Sequence, residues 1–375
     1  MAKAQDYGFG AFAFPRGWFM VGRAEDATET PSSVRYFGTD MVLYRGKSGK
    51  ARLVEAYCPH MGAHLAKNTT SYIVLDGEHV QGESIRCPFH GWRFDENGQC
   101  DHIPYSDFIP KAACLKTFPV TEFAGILWTW YDPEGLEPDY PLPSFGNHYG
   151  EPGWVEWNMA HLGDLDIHGC EIVDNMADLG HMVPVHGSTE CIYFSNEFVD
   201  HVVHQYFGTR HRNEVANHEY NMLMLDTWRT GPGILESDMQ GRFPGFWLIA
   251  STPIDDGRER VWSGIMVQVN DGTQAPSAED IALAREFSMN AVHGLGQDVE
   301  IWANKRDCIN PMALPADGPY GRLRTWYRQF FNPRDKAAEL QKRVNGRTVT
   351  LDLREAKGIA VDVFHAPPQK ALQSA

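Results

Sequence analysis

The sequence predicts an α+β protein: a small antiparallel β domain, then a larger domain in which helices flank an antiparallel sheet. Three observations predict this. From Gly17 to about Tyr131, short apolar runs are broken by Gly, Asn and Asp; a proline-rich passage follows; strand-like runs then give way to one long helical pattern.

Taken in order, Trp18 to Val21, Met41 to Tyr44 and Ile126 to Trp130 read as strands of the first domain. Pro133, Pro138, Pro141, Pro143 and Pro152 suit a linker better than a packed element, which puts the domains at 1–135 and 136–375. Leu165, Ile172, Met176, Leu179 and Val183 recur at helical spacing, so a helix is expected from Leu165 to Val183, ended by Pro184. From about Val199 to Val269 strand-like runs return, with turn signals at Gly231-Pro232-Gly233 and Asp255-Asp256-Gly257. Ser277 followed by Asp280 forms a capping box for a helix through Ala282 and Phe287 to Trp302.

With 375 residues, 43% of them hydrophobic, the chain can bury a sizeable core, and its net charge of −16 offers no footprint for nucleic acid. Met1 to Phe14 lacks the apolar run of a signal peptide, and no stretch of eighteen apolar residues marks a membrane span, so the expected location is the cytoplasm. Seven cysteines in such a chain argue against a disulfide framework and make metal ligation the first use to test.

Cys58-Pro59-His60-Met61-Gly62 and Cys87-Pro88-Phe89-His90-Gly91-Trp92 each offer one thiolate and one imidazole. That donor set suits a [2Fe-2S] cluster with Cys58 and Cys87 on one iron and His60 and His90 on the other. The nearby prolines and glycines fit tight turns that aim backbone amides at sulfur. Two Cys and two His also form a zinc shell, although zinc modules rarely leave the single-residue gap between Cys58 and His60; colour separates the two. His64 is read as a loop residue, and Cys100 and Cys114 as buried thiols.

The second constellation runs Asp174-Asn175-Met176-Ala177-Asp178-Leu179-Gly180-His181, then His186. On a helix, positions 174, 178 and 181 share one face, and Pro184 lets His186 swing back towards the same ion. Two imidazoles and one distant carboxylate make the facial triad of oxygen-activating Fe(II), with Asp298, Glu300 and Asp307 as candidates for the third ligand. Read alone, the acids could equally be a solvated helix face and the histidines satisfied polar groups. No Gly-x-Gly-x-x-Gly after a strand and no Walker-type loop is present, so electrons must come from a separate protein.

The two Cys/His boxes resemble the Cys-x-His and Cys-x-x-His boxes of Rieske non-haem iron oxygenases. Asn175, Asp178, His181 and His186 resemble their Asn-x-x-Asp-x-x-His-x-x-x-x-His motif. Gln297 to Trp302, Arg324 to Tyr327 and Gln329 to Phe331 are similar to the 3-ketosteroid 9α-hydroxylase branch, which also includes sterol 7-desaturases. The resemblance implies a Rieske domain and a helix-grip catalytic domain, with His181, His186 and Asp298 on Fe(II). It implies Asp178, beside Asn175, as the acid bridging to a neighbouring subunit's cluster, most directly through His90, in a homotrimer or hexamer of trimers. A flavin and iron–sulfur reductase, with or without a ferredoxin, would supply electrons, and the substrates would be dioxygen and a steroid or similar bulky apolar molecule. Oxidative demethylation, desaturation or aromatic-ring hydroxylation on the same scaffold is the alternative. A plain electron carrier would stop near residue 130, without the later His pair. Met222, Met224, Phe243, Phe246 and Trp247 are the expected lining of an apolar pocket. The stretch between His60 and Cys87 is longer than usual in the family, and 67–83 reads as an inserted hairpin or loop.

Overall fold

The computed structural model describes residues 1–211, 222–241 and 243–359. Residues 212–221, inside the expected run of strands, and 360–375, the end of the second expected domain, lie outside the described residues. The chain forms two compact units, Phe19–Tyr131 and a larger one that joins Asp132 onward to Met1–Trp18. No helix among the described residues is long and apolar enough to cross a membrane.

The smaller unit is built from short strands in three antiparallel sheets. One sheet orders β1 (Gly17–Arg23), β11 (Ile126–Tyr131) and β10 (Thr121–Phe123). A second orders β2 (Ser32–Tyr36), β3 (Thr39–Arg45), β4 (Ala51–Glu55) and β9 (Thr117–Phe118). The third runs β5 (Val80–Gln81), β6 (Ser84–Arg86), β7 (Arg93–Phe94) and β8 (Cys100–His102). The three strand runs expected in this region fall in β1, β3 and β11. Val42, Tyr44, Val54, Ile85 and Phe94 form its core together with Cys58 and Cys87.

The larger unit holds a nine-stranded antiparallel sheet. Its order is β12 (Trp154–Val155), β19 (Arg258–Gln268), β18 (Pro244–Asp255), β17 (Ile234–Gln240), β16 (Met222–Thr230), β15 (Val202–His211), β14 (Ser188–Val199) and β20 (Gly346–Asp352); β13 (Ala160–Leu165) also pairs with β19. The sheet therefore begins before the expected Val199, with the short strands β12 and β13, and its run of long strands starts at Ser188. Across one face lies α3 (Ala278–Asn304), packing Ala284, Phe287, Leu295 and Trp302 against Ile265, Val267, Val261 and Ile249. The capping box is present: Ser277 Oγ accepts from Asp280 N at 3.1 Å and Asp280 Oδ2 accepts from Ser277 N at 2.9 Å. Helix α4 (Tyr320–Tyr327) and α5 (Arg334–Val344) follow, and Trp326, Tyr327, Phe330 and Phe331 are all buried around them. Phe9 of the N-terminal arm stacks on Phe331 and sits edge-on to Tyr327, while Asn332 Nδ2 donates to Phe9 O at 2.8 Å.

The expected continuous helix from Leu165 to Val183 is not formed. Leu165 ends β13, paired with Glu259, and α2 spans only Gly169–Val173, capped by His168 Nδ1, which accepts from Cys170 N. A 3₁₀ turn takes Asp174–Ala177, Asp178 is extended at φ −94 and ψ 98, and a second 3₁₀ turn takes Gly180–Met182. The side chain of Asp178 breaks the helix by accepting from the backbone of Gly180 at 2.9 Å and His181 at 3.4 Å. Leu179 N donates to Asp317 O instead of to the preceding turn. Positions 174, 178 and 181 thus do not share a helix face, although they do line one cavity.

Candidate active site with two metal centres

The first centre sits on two loops that fold alike. In each, the Cys N–H donates to the carbonyl five residues on (Ala63 and Trp92), and the Cys carbonyl accepts from the glycine four residues on. Those glycines, Gly62 at φ +72 and Gly91 at φ +73, adopt a left-handed backbone that other residues rarely take. The result places both thiols in the core and both imidazoles nearer the surface: Cys58 and Cys87 are each 2% exposed, while His60 and His90 are half-buried. The rings of His60 and His90 are 4.7 Å apart, and Trp92 stacks on His60 at 4.4 Å. Contact between the sulfurs pushes the Cys58 thiol up and the Cys87 thiol down, the pattern of two groups sharing one proton. Nδ1 of His90 is buried without a hydrogen-bond partner. Two inner thiols, two outer imidazoles and an orphaned ring nitrogen fit a mixed-ligand [2Fe-2S] cluster.

His64 is fully used in its loop, Nδ1 accepting from Ala66 and Lys67 and Nε2 contacting Ser33 Oγ at 3.2 Å. Cys100 is buried, but Cys114 is exposed, contrary to expectation, because it lies in an edge bridge opposite Gln99. The stretch 67–83 forms the one-turn helix α1 (Tyr72–Leu75) and β5, and it braces the second loop: Ser71 Oγ donates to Pro88 O at 2.7 Å.

The second centre lies in the larger unit. One ligand atom from each of His181, His186 and Asp298 lies within 4.8 Å of the others. His186 Nε2 is 3.2 Å from Asp298 Oδ2 and His181 Nε2 is 3.9 Å from Oδ1, so both imidazoles aim Nε2 at one carboxylate. Of the three candidate acids, Asp298 alone is beside them. Glu300 is exposed, and Asp307 accepts from Ala2 N at the N-terminus. Neither ring nitrogen of buried His181 completes a hydrogen bond, which fits a group waiting for a cation. Asn175 Nδ2 donates to Asp298 Oδ1 at 3.3 Å, His186 Nδ1 faces Gln297 Oε1 at 3.4 Å, and Asp178 Oδ2 lies 3.3 Å from His181 Nδ1. Burial opposes charge on both His186 and Asp178. Even so, Asp298 holds the His186 pKa above its ordinary value and His181 holds that of Asp178 below.

The trio sits in the wall between two cavities, with Asn175 and Asp298 lining both. One, about 300 Å³ and the more polar of the two, carries Glu171, Asp174, Asp178, His181, Lys305 and Arg324 beside apolar side chains such as Ile301, Trp302 and Met312. The other, about 220 Å³, lies between α3 and the sheet, where Leu223, Leu225, Leu235, Trp247 and Ile249 give it an apolar lining. Of the five residues expected there, only Trp247 lines it. Strand alternation sends Met222, Met224 and Phe246 to the opposite face, and Phe243 packs on Phe287. Two further residues hold the site. Arg324 grips Asp174 through Nε at 3.0 Å and Nη2 at 2.5 Å while donating to the carbonyls of Cys308 and Ile309, tying the Asn175–His181 segment to the chain that leaves α3. Buried Glu171 binds Tyr7 and Lys305 and accepts from Cys308 N at 2.5 Å. No spacing rule marks Arg324 with Asp174, or Glu171 with its three partners, since each of these pairs is more than 130 residues apart.

Comparison with known proteins decides the family. Residues 17–119 match the Rieske [2Fe-2S] domain, and residues 129–331 match the 3-Ketosteroid 9alpha-hydroxylase C-terminal domain. The chain belongs to the Rieske oxygenases of the 3-ketosteroid 9α-hydroxylase family. It is 34% identical, over 85% of its length and 80% of the relative's, to a protein of Rhodococcus rhodochrous named a probable 3-ketosteroid-9-alpha-monooxygenase oxygenase component. It is 27% identical to cholesterol 7-desaturase nvd 1 of Ciona intestinalis, over 85% of this chain and 69% of that one. The fold is also that of apo dicamba monooxygenase, with a TM-score of 0.61 at 19% identity, covering 88% of this chain and 97% of the other. As a Rieske oxygenase component the chain carries a [2Fe-2S] cluster and a catalytic iron, and a separate reductase supplies its electrons.

Proposed function

We propose that this Rieske oxygenase hydroxylates a steroid-like, bulky apolar substrate. One observation carries the reading: two imidazoles and Asp298 converge at the end of an apolar cavity, in a chain related to steroid monooxygenase components. Cys58, Cys87, His60 and His90 hold the cluster, and His181, His186 and Asp298 hold the catalytic iron. When bound, these groups supply stored single electrons and the activation of dioxygen.

The chain's own residues do the rest. Nδ1 of His181 faces Asp178 Oδ2 at 3.3 Å and Nδ1 of His186 faces Gln297 Oε1 at 3.4 Å, oxygens that would favour the Nδ1–H tautomers and leave each Nε2 for a metal. Asn175 orients Asp298 by donating to Oδ1. The apolar cavity excludes water from the C–H bond under attack, and the polar cavity supplies the protons that reduction of dioxygen consumes. Asp178 opens on that polar side, where His90 of the partner subunit would meet it in a homotrimer. Electrons come from a flavin and iron–sulfur reductase, with or without a ferredoxin, in the cytoplasm.

Incubation with a surrogate reductase, NADH and a panel of 3-ketosteroids tests the reading, with a hydroxylated product expected. His181→Ala should abolish that product and the mononuclear iron while leaving the cluster's visible absorption intact; undiminished turnover would refute the assignment. The similarity to a cholesterol 7-desaturase supports a second outcome, loss of two hydrogens instead of gain of oxygen, which the product mass distinguishes.

A further inference from the structure

Gly294 and Gly296 lie inside α3, four and two residues before Asp298. Glycine inside a helix costs stability relative to alanine, so two of them so close together call for a reason. Backbone geometry supplies none, because both lie within the helix and neither has a positive φ. Close packing supplies none either: a Cβ at Gly294 or at Gly296 would meet no atom within 4 Å. What separates them is the space they leave. Gly294 lines the apolar cavity together with Leu295 and Asp298, whereas Gly296, two residues on and about 200° round the helix, does not.

We propose that Gly294 sets the width of the apolar cavity beside the catalytic iron and so selects for a rigid multi-ring substrate. The inference rests on the reading of that cavity as the substrate site. At about 220 Å³ the cavity is below the ~300–1,000 Å³ usual for small-molecule sites, so a single added methyl group removes room that a fused-ring ligand needs. Because Gly294 stands four residues before Asp298, a side chain there would project over the same face as the metal-facing carboxylate. Small or flexible substrates would turn away from it; a rigid ring system could not.

The test uses the full chain loaded with cluster and iron, as parent, Gly294→Ala, Gly294→Leu and Gly296→Ala. Calorimetry measures binding of cyclohexanone, a two-ring decalone and a four-ring 3-ketosteroid. The expected result is that Gly294→Ala weakens the four-ring ligand by about tenfold and Gly294→Leu abolishes its binding, while cyclohexanone changes by less than about twofold. Gly296→Ala should bind all three as the parent does, and both alanine variants should melt at or above the parent temperature. Unchanged four-ring affinity in the Gly294 variants would overturn the inference alone. Equal weakening by Gly296→Ala would also overturn it, pointing to helix suppleness instead of room. A parent that binds none of the ketones would sink the substrate reading, and the inference with it.

Discussion

Single residues in this protein are set as much by burial as by chemical type. Glu236 is 1% exposed, and burial pushes its pKa up to about 8 against the opposing hydrogen bonds of Trp228, Thr230 and the Phe145 backbone; burial and the facing Asp238 push Asp226 up to about 7. Both carboxyls are therefore protonated more readily in the folded chain than in the unfolded one. Their stabilising effect is complete below the unfolded pKa, near 4, and is lost as pH rises through about 7 to 8. Glu236→Gln should accordingly melt close to the parent at pH 5 and above it at pH 8, measured by a thermal scan at each pH. A parent curve that is flat over this window would contradict the assignment. The residues proposed for the two centres stand out in the sequence because each carries its chemistry in its type: Cys58, His60, Cys87 and His90 by spacing, His181 and His186 by pairing. Gln297, behind His186, and Trp92, stacked on His60, were missed as functional, though each adjoins a residue that was named.

At the scale of elements, the segment between β13 and β14 shows tertiary bonds overriding local preference. Its apolar spacing is helical, yet Leu179 N pairs with Asp317 O and the chain breaks at Asp178. Gly318 makes that pairing possible. Its φ is +133, and a Cβ there would sit 1.8 Å from Ala177 O. Gly318→Ala should cost about 2–3 kcal/mol in the larger unit and release mononuclear iron, without bleaching the cluster. Iron analysis beside visible absorption checks this, and full iron occupancy would count against it. The long helix α3 was readable from its capping box and amphipathic pattern, because a helix of that length carries its own signal. The sheet face was not. A one-residue change of phase moves every side chain to the other side, so the pocket lining expected from hydrophobicity was mostly assigned to the wrong face.

On the scale of the molecule, each unit carries one metal site, built by a different strategy. The cluster loops belong to short hairpins, where four donors lie within 33 positions of sequence (58–90). The trio proposed for iron draws on residues more than a hundred positions apart, and Asp298 at 6% exposure is a buried acid whose carboxylate faces two imidazoles. Metal should therefore stabilise the larger unit selectively. Adding ferrous iron at 100 times its dissociation constant to iron-stripped protein should contribute about 2.7 kcal/mol, seen as a higher melting temperature, with the cluster spectrum unchanged. No shift, or a shift that is equally large in His186→Ala, would argue against metal binding by this trio.

The sequence by itself determined the two-part architecture, the donor chemistry of both centres and the family, since thiolate and imidazole spacing, caps and turn residues act within a few positions of each other. Only the tertiary structure decided which face of the sheet lines the cavity and that Arg324 and Glu171 lock the segments around it; it also sets Asp298, the acid implied by the family resemblance, beside the two histidines. Those outcomes depend on chain segments more than a hundred residues apart meeting in a packed interior. There, burial and backbone hydrogen bonding outweigh the local preferences that a sequence displays.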